Sequence, residues 1–368
     1  MNPRPVVIIT TRLPPEVCGI GTYSWLLHRH WPISGSRTQF FVIDGAAQST
    51  AGLGHSAITE FDQDPEKLAQ VLTRSGDADV LLHYAGRAYH RYGCPTWLPP
   101  VLRAWKAKSP AGRLLIFFHE LPSDNFTVLS RYFWIDMCNR RVIRKLAGLA
   151  DVIVTNTAEH VTKLQKISGR TDIHLIPVGS NIERVGDSSE QRARTDFAIF
   201  GLPFGRLQTL QMFNHEVRSW EGNGHLRKLH LIGPRDKKFD ARSEQLIATW
   251  RNPGVIVRHG LLSSAEVSRL LSQVGFGLAI ATTGNWSKST VFMAYAAHGC
   301  AIISKAKSES APLCFTIAPN ELGTISDLDL IARTRALRKW YDENAAWSAI
   351  ATEVAALLGL RVEQEALP

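Results

Sequence analysis

Short apolar runs alternate with longer segments of helical character along the chain, and this alternation constrains the fold more than any other feature. Runs such as Val6 to Thr10, Val80 to Tyr84 and Leu114 to Phe118 have the length of buried strands. Helical patterns such as 65–74 and 157–167 lie between them. Strands that are apolar throughout and joined by helices are typical of parallel sheets covered on both faces. The order of elements therefore predicts an α/β fold.

The chain is long enough for two such domains. Its 368 residues exceed the size at which a single core usually stops growing. A polar, charged segment, 180–195, separates the first series of strands from a second series that starts at Phe197, and it is predicted to be the linker. Within the second series, Ser263 to Glu266 forms a capping-box pattern that predicts a helix to about Val274.

Charge and cysteine content narrow the classes of partner. The net charge of +9 attracts anions, which include nucleotide phosphates, anionic lipid head groups and nucleic acid. No nucleic-acid-binding motif accompanies the charge, so no nucleic acid partner is predicted, and a basic surface that only keeps the chain soluble is the alternative. Five scattered cysteines fit neither a disulfide framework nor a metal site. With no apolar run of about 20 residues and no secretory signal, a cytoplasmic location is expected.

Gly19 and Gly21 end the loop after the first strand and open a helix. Glycines let a backbone approach a ligand closely, and the amides at a helix N-terminus favour an anion. The fuller glycine pattern of a dinucleotide site is missing, which argues against NAD. The pair is predicted to contact a donor phosphate, with simple turn glycines as the alternative.

His119 follows the most apolar strand, Leu114 to Phe118. A histidine can change charge near neutral pH and can donate to a hydroxyl or a developing anion. His119 is therefore the candidate catalytic residue, and a structural histidine is the alternative. His83, at another strand end, is a weaker candidate for the same reason.

Two loops of the second half have the composition of phosphate sites. Arg206 follows a strand in a glycine-containing loop, and a guanidinium suits phosphate oxygens. The segment 282–290 brings hydroxyls, a lysine and helix-start amides together, and Lys288, Ser289 and Thr290 are its predicted ligands. The alternatives are a solvated Arg206, and helix capping by Ser287 or Ser289 with Lys288 in solvent.

No metal site is predicted. Asp327 and Asp329 offer paired carboxylates, but they follow Ser326 at the start of a helical pattern and are better placed to interact with the helix dipole. That last helical pattern, around 327–358, is read as one long element.

Five segments, in order along the chain, resemble the GT-B glycosyltransferases, specifically the retaining family known as family 4. They are Pro14-Pro15 with Gly19 to Tyr23, Phe117 to Glu120, Ala150 to Val154 with Ile176 to Asn181, Leu229 to Gly233 with His259 to Leu262, and Ala294 to Ser304. The resemblance implies two Rossmann-like domains with a cleft between them: 1–180 on the acceptor side, 181–345 on the donor side, and a C-terminal helix in 346–368 that packs back on the first domain.

The resemblance also implies an activity. A sugar would pass from a nucleotide diphosphate sugar to an acceptor with retention, with no cofactor or metal besides this co-substrate. The acceptor stays open among glycan, lipid-linked sugar and small molecule, and peripheral contact with an anionic membrane, on its inner face, is a further alternative.

The chain departs from the family at its acidic positions. Such families show two glutamates eight positions apart, and alignment places Trp286 and Ala294 there. The usual arginine and lysine are reduced to Arg206. Three hypotheses follow: sugar transfer, epimerisation of a nucleotide sugar, and a catalytically inactive GT-B-fold binding or assembly subunit. Epimerases of this fold rely on acidic residues that cannot be placed in this sequence.

Overall fold

The computed structural model describes residues 4–16, 18–33, 37–44, 57–123, 127–186, 192–306 and 308–360. The chain divides into two compact units: unit 1 comprises Met1–Pro177 and Trp347–Pro368, and unit 2 comprises Val178–Ala346. The predicted domain limits, residues 180 and 345, lie within a few residues of these divisions. None of the described helices is long and apolar enough to cross a membrane.

Unit 1 is built on a parallel sheet of seven strands in the order β3-β2-β1-β4-β5-β6-β7. Its first stretch contains β1 (Val6–Thr10), α1 (Gly19–Arg29), β2 (Thr38–Val42), β3 (Ala57–Glu60), α2 (Pro65–Arg74), β4 (Asp79–Tyr84), α3 (Gly86–Tyr89), α4 (Leu98–Lys108), β5 (Leu114–Phe118), α5 (Arg131–Leu149), β6 (Val152–Thr155), α6 (Ala158–Ser168) and β7 (Ile173–Leu175). Strands β1, β4 and β5 are buried along their whole length, as expected for a sheet covered on both faces.

Unit 2 has a parallel sheet of five strands in the order β10-β9-β8-β11-β12. Its elements are β8 (Ala193–Phe200), α7 (Pro203–Met212), α8 (Asn214–Gly222), β9 (Lys228–Ile232), α9 (Lys237–Ile247), β10 (Ile256–Gly260), α10 (Ser264–Gln273), β11 (Val274–Leu278), α11 (Thr290–His298), β12 (Ala301–Ile303) and α12 (Asp327–Asn344). The chain then returns to unit 1 as α13 (Trp347–Leu357). The α/β architecture with two parallel-sheet domains is confirmed.

The predicted capping box at the start of α10 is also confirmed. The Ser263 hydroxyl accepts a hydrogen bond from the Glu266 amide, and the Glu266 carboxylate accepts one from the Ser263 amide. Both interactions satisfy amides that a helix start leaves without an intrahelical partner. Helix α10 ends at Gln273, next to the predicted limit at Val274.

Three element predictions need correction. Strand β8 begins at Ala193, inside the predicted linker. Its start was not predicted because its first residues are exposed and give no apolar signal. Part of that linker, 187–191, lies outside the described residues. Strand β3 was missed because it has no continuous apolar run and is only partly buried. The single helical pattern predicted for 327–358 is two helices, α12 and α13, which belong to different units.

Candidate functional site

The strand order of unit 2 indicates the edge at which a ligand is expected to bind. Strands β9 and β10 lie on one side of β8, whereas β11 and β12 lie on the other. In an open parallel sheet, the point where the order reverses leaves a crevice beyond the carboxyl ends of the two strands. Here that point lies between β8 and β11, so the loop after β8 and the segment 279–289 line the candidate site.

Tyr295 of α11 fixes the geometry of this edge. Its hydroxyl donates to the Ala198 carbonyl at 2.9 Å and accepts from the Phe200 amide at 3.0 Å. The tyrosine is fully buried, and these two bonds hold α11 against the last residues of β8. Gly201 comes next, with φ of 131°, and a β-carbon built there would lie 3.3 Å from Cγ2 of Val291. The loop after β8 therefore lies against the first turn of α11.

The predicted phosphate segment has a defined local structure. Asn285 Oδ1 accepts from the Thr282 amide at 2.8 Å, and a 3₁₀ turn, Trp286–Lys288, leads into α11. The Ser289 hydroxyl accepts from the Phe292 amide at 3.2 Å and so caps the helix. Lys288 is exposed just before the helix start, and Thr290 is partly buried in its first turn. The segment presents a cation at a helix N-terminus, where the dipole favours an anion.

The two positions at which the resemblance implied glutamates, Trp286 and Ala294, carry apolar side chains. The Trp286 ring lies edge-on to Trp340, with ring centres 5.3 Å apart. Ala294 is fully buried within α11, and its carbonyl oxygen lies 2.7 Å from His298 Nδ1. Neither position therefore offers a carboxylate to a ribose or a sugar.

Arg206, which was predicted to lie in a loop, lies in helix α7 and is buried, with an exposed fraction of 6%. Its guanidinium donates to the carbonyls of Gly201 at 2.6 Å and Pro234 at 2.7 Å, and Asp240 lies 3.8 Å away. Burial lowers the pKa of Arg206, and the Asp240 carboxylate opposes that effect. The side chain joins the loops that follow β8 and β9. Two nitrogens of the guanidinium therefore have a structural role, whereas the sequence had assigned Arg206 to a phosphate.

Unit 1 has its own reversal of strand order, between β1 and β4. Helix α1 begins there at Gly19, and no side chain caps it. A β-carbon built at Gly19 would meet no atom within 4 Å, whereas one built at Gly21 would lie 1.5 Å from the Arg12 carbonyl oxygen. A glycine is therefore required at position 21, because the backbone at Arg12 leaves no room for a side chain. At Gly19, by contrast, the space at the helix start is open.

His119 lies directly after β5, where its Nε2 is 2.8 Å from Nδ1 of His83 at the end of β4. Parallel pairing of β4 with β5 brings these two positions together. Both histidines are buried, and burial lowers the pKa of His83 well below its usual value. From the sequence, His83 is a weaker candidate than His119 and their pairing is not predicted, although both lie at the ends of apolar strands.

Aromatic rings surround the histidine pair. The His119 ring stacks on Phe117 with centres 4.6 Å apart, and Tyr23 of α1 lies edge-on to His119 at 5.2 Å. Trp347 of α13 lies 4.8 Å from Tyr23. Neither Tyr23 nor Trp347 is predicted for the site from the sequence, because nothing local links positions so far apart in the chain.

The described portion of the chain has no group of three or more His, Cys, Asp or Glu side chains that could hold a metal ion. Asp327 and Asp329 lie in the first turn of α12, where the Ser326 hydroxyl accepts from the Asp329 amide.

Comparison with known proteins gives a structural likeness only. No family model matches the chain. No curated protein matches it either.

Three solved structures illustrate the likeness. An alpha,alpha-trehalose 6-phosphate synthase from Burkholderia multivorans has a TM-score of 0.65 at 11% identity, over 98% of this chain and 97% of that one. HepE from Anabaena, in complex with UDP and glucose, has a TM-score of 0.62 at 12% identity, over 96% and 99%. A putative UDP-N-acetylglucosamine 2-epimerase from Listeria monocytogenes has a TM-score of 0.53 at 10% identity, over 96% and 95%.

At these identities the likeness establishes the fold and leaves the activity open. The matches extend over nearly the whole chain, and both sheets are parallel. The chain therefore has the GT-B fold, with two Rossmann-like domains.

Proposed function

We propose that the protein transfers a sugar from a nucleotide diphosphate sugar to an acceptor, with retention, as in family 4. The observation that carries the proposal is the edge of unit 2 between β8 and β11. There the exposed Lys288 precedes the N-terminus of α11, and Val291 in the first turn of that helix lies beside Gly201. Positive charge fixed at that edge would offset the negative charge that grows on a departing diphosphate. HepE, which has the same fold, was solved with UDP and glucose.

The residues of this site receive separate roles. Lys288 and the amides at the start of α11, including that of Thr290, bind the diphosphate. Ser289 shapes the helix start through its cap. In unit 1, Gly19 leaves space for a ligand and His119 acts on the sugar or the acceptor. We also propose that transfer needs no divalent cation, because Lys288 and the helix dipole supply positive charge.

A second candidate is a GT-B-fold subunit that binds a nucleotide sugar without transferring it. The aromatic contact of Trp286 and the burial of Ala294 favour it, because the positions that carry glutamates in related families hold no acid here. Both candidates bind the donor, so turnover distinguishes them.

The test is a thermal-shift panel of UDP-, GDP-, ADP- and dTDP-sugars, followed by titration of the ligand that binds. A ligand that binds only the folded state raises its stability. Lys288→Ala should weaken donor affinity by about tenfold to a hundredfold, as expected for one charge-assisted hydrogen bond. Lys339→Ala, an exposed lysine of α12, is the matched control and should leave affinity unchanged.

Two further arms separate binding from chemistry. His119→Ala should lower turnover more than donor affinity, and EDTA should leave turnover unchanged. Arg206→Ala is expected to lose stability, so it is a poor probe of donor binding. If no nucleotide sugar raises the melting temperature, both candidates fail. If a donor binds with Lys288-dependent affinity but neither transfer nor hydrolysis occurs, the binding subunit is correct.

A further inference from the structure

Unit 1 exposes large apolar side chains in two segments, 87–92 and 128–134. The exposed fractions are 94% for Leu129, 64% for Trp134, 61% for Val128 and 51% for Tyr92. Single exposed hydrophobic residues are common on soluble proteins, but a contiguous group marks an interaction site. We call the exposed side chains of these two segments the aromatic surface.

Contacts beneath the aromatic surface show that its two segments are neighbours. Cys94 lies just after the first segment and Ile135 just after the second. The Cys94 thiol donates to the Ile135 carbonyl at 3.0 Å. Tyr84, at the end of β4, donates to Asn139 of α5 at 2.7 Å. These bonds hold the start of α5 against the chain that follows β4. At the exposed face, Tyr92 lies close enough to Arg131 for an electrostatic interaction.

Arginines interleave with the exposed rings. The Arg91 guanidinium lies over the Tyr92 ring at 5.1 Å, and that of Arg131 lies over the Tyr132 ring at 4.9 Å. Arg87 is exposed in the first segment and interacts electrostatically with Tyr132. Neither segment contains an aspartate or a glutamate. The aromatic surface is therefore apolar and positively charged at once.

We propose that the aromatic surface binds the head-group region of an anionic membrane. Aromatic side chains favour the boundary between water and lipid, and arginines near an anionic bilayer are attracted to it. Leu129 is almost fully exposed and Val128 is largely exposed, so both side chains can insert into the lipid. A second copy of this chain fits poorly, because it would place arginines against arginines.

The position of the aromatic surface links it to the proposed acceptor side. Its segments follow β4 and β5, the strands whose carboxyl ends carry His83 and, one residue beyond β5, His119. A bilayer bound there would present lipid-linked acceptors near the histidine pair. This last step alone rests on the proposed function; membrane binding itself does not.

The experiment is co-sedimentation of the full chain with vesicles, in the absence of any nucleotide sugar. Vesicles of equal parts phosphatidylcholine and phosphatidylglycerol should bind the protein, and vesicles of phosphatidylcholine alone should bind it much less. Leu129→Ser with Trp134→Ser should weaken binding about tenfold, because apolar contact with lipid is lost. Arg91→Gln with Arg131→Gln should weaken it about fivefold per residue and reduce its salt dependence.

Leu261→Ser with Leu328→Ser removes two exposed leucines of unit 2 and is the matched control, which should bind as the wild type does. Circular dichroism and melting curves establish that every variant is folded. Failure of the wild type to bind the mixed vesicles overturns the proposal, as does an equal loss in the control. A wild type that dimerises through Leu129 and Trp134 and ignores vesicles identifies a second copy as the partner instead. Donor affinity, measured without lipid, tests the proposed function separately.

Discussion

At the scale of single residues, Arg206 and Lys288 show that the surroundings of a cation decide whether it can bind a phosphate. The sequence places both cations after a strand, in segments rich in glycine or hydroxyl groups, and so assigns both to phosphate, although Arg206 lies in helix α7. In the folded unit, Arg206 donates to two carbonyls from different loops, whereas Lys288 is exposed at a helix start. The acceptors of Arg206 lie 5 and 28 positions away in the chain, and no local pattern predicts their convergence.

Gly19 and Gly21 give the sharpest test at this scale. Gly21→Ala should lower the free energy of unfolding by about 2 kcal/mol or more, because its β-carbon would overlap the Arg12 carbonyl and force the backbone to move. Gly19→Ala should change it by less than about 0.5 kcal/mol, since open space surrounds that position. Urea unfolding of both variants measures the difference. Equal stabilities would contradict the close approach of α1 to the chain at Arg12.

At the scale of elements, α13 is the part of the fold that sequence periodicity described least well. The pattern of apolar residues continues across the break after α12 at Ala345, so periodicity alone predicts one helix there, whereas the family resemblance implied a separate C-terminal helix from residue 346. The buried side of α13 consists of Trp347, Ile350, Ala351, Val354 and Ala355. Packing against α1, through Tyr23 and Trp347, decides that α13 belongs to unit 1.

Trp347→Ala should therefore destabilise unit 1. The ring is 6% exposed, and removal of a buried aromatic side chain costs about 3–5 kcal/mol. Amide hydrogen exchange should become faster in α1 and β1, while the strands of unit 2 keep their protection, since each unit has its own core. Thr352→Ala, exposed on the same helix, is the control. Loss of protection in unit 2 alone would contradict the assignment of α13.

At the scale of the whole molecule, buried histidines make stability depend on pH. Burial is the largest cause that lowers the pKa of five histidines, namely His28, His83, His230, His259 and His298. The unfolded chain binds protons at these groups below about pH 6.5, and the folded chain binds them only at lower pH. Their contribution to stability is therefore complete above about pH 6.5 and is lost as the pH falls towards the folded pKa values.

The free energy of unfolding should accordingly decrease between about pH 7.5 and about pH 5.5, by up to about 1.4 kcal/mol per pH unit for each histidine. Urea unfolding across this range measures the slope. His83→Phe should reduce it, because one fully buried group is removed. His215→Gln, on an exposed position of α8, is the control. A free energy of unfolding that stays constant over the range would contradict the prediction.

The sequence by itself determined the class of fold and identified the strand ends that line the candidate site. Burial of both faces makes the strands of a parallel sheet apolar throughout, so β1, β4 and β5 are visible as continuous runs. The capping box of α10 was visible for a similar reason, because its interactions span only three residues. Both signals are local.

Only the tertiary structure decided which candidates lie together and what each side chain contacts. The pairing of His83 with His119 depends on the register of β4 and β5, and the contact of Tyr23 with Trp347 joins residues from opposite ends of the chain. Gly21 is fixed by a carbonyl that reaches it only after the loop has folded. Such contacts depend on the packing of distant segments, which apolar periodicity does not specify.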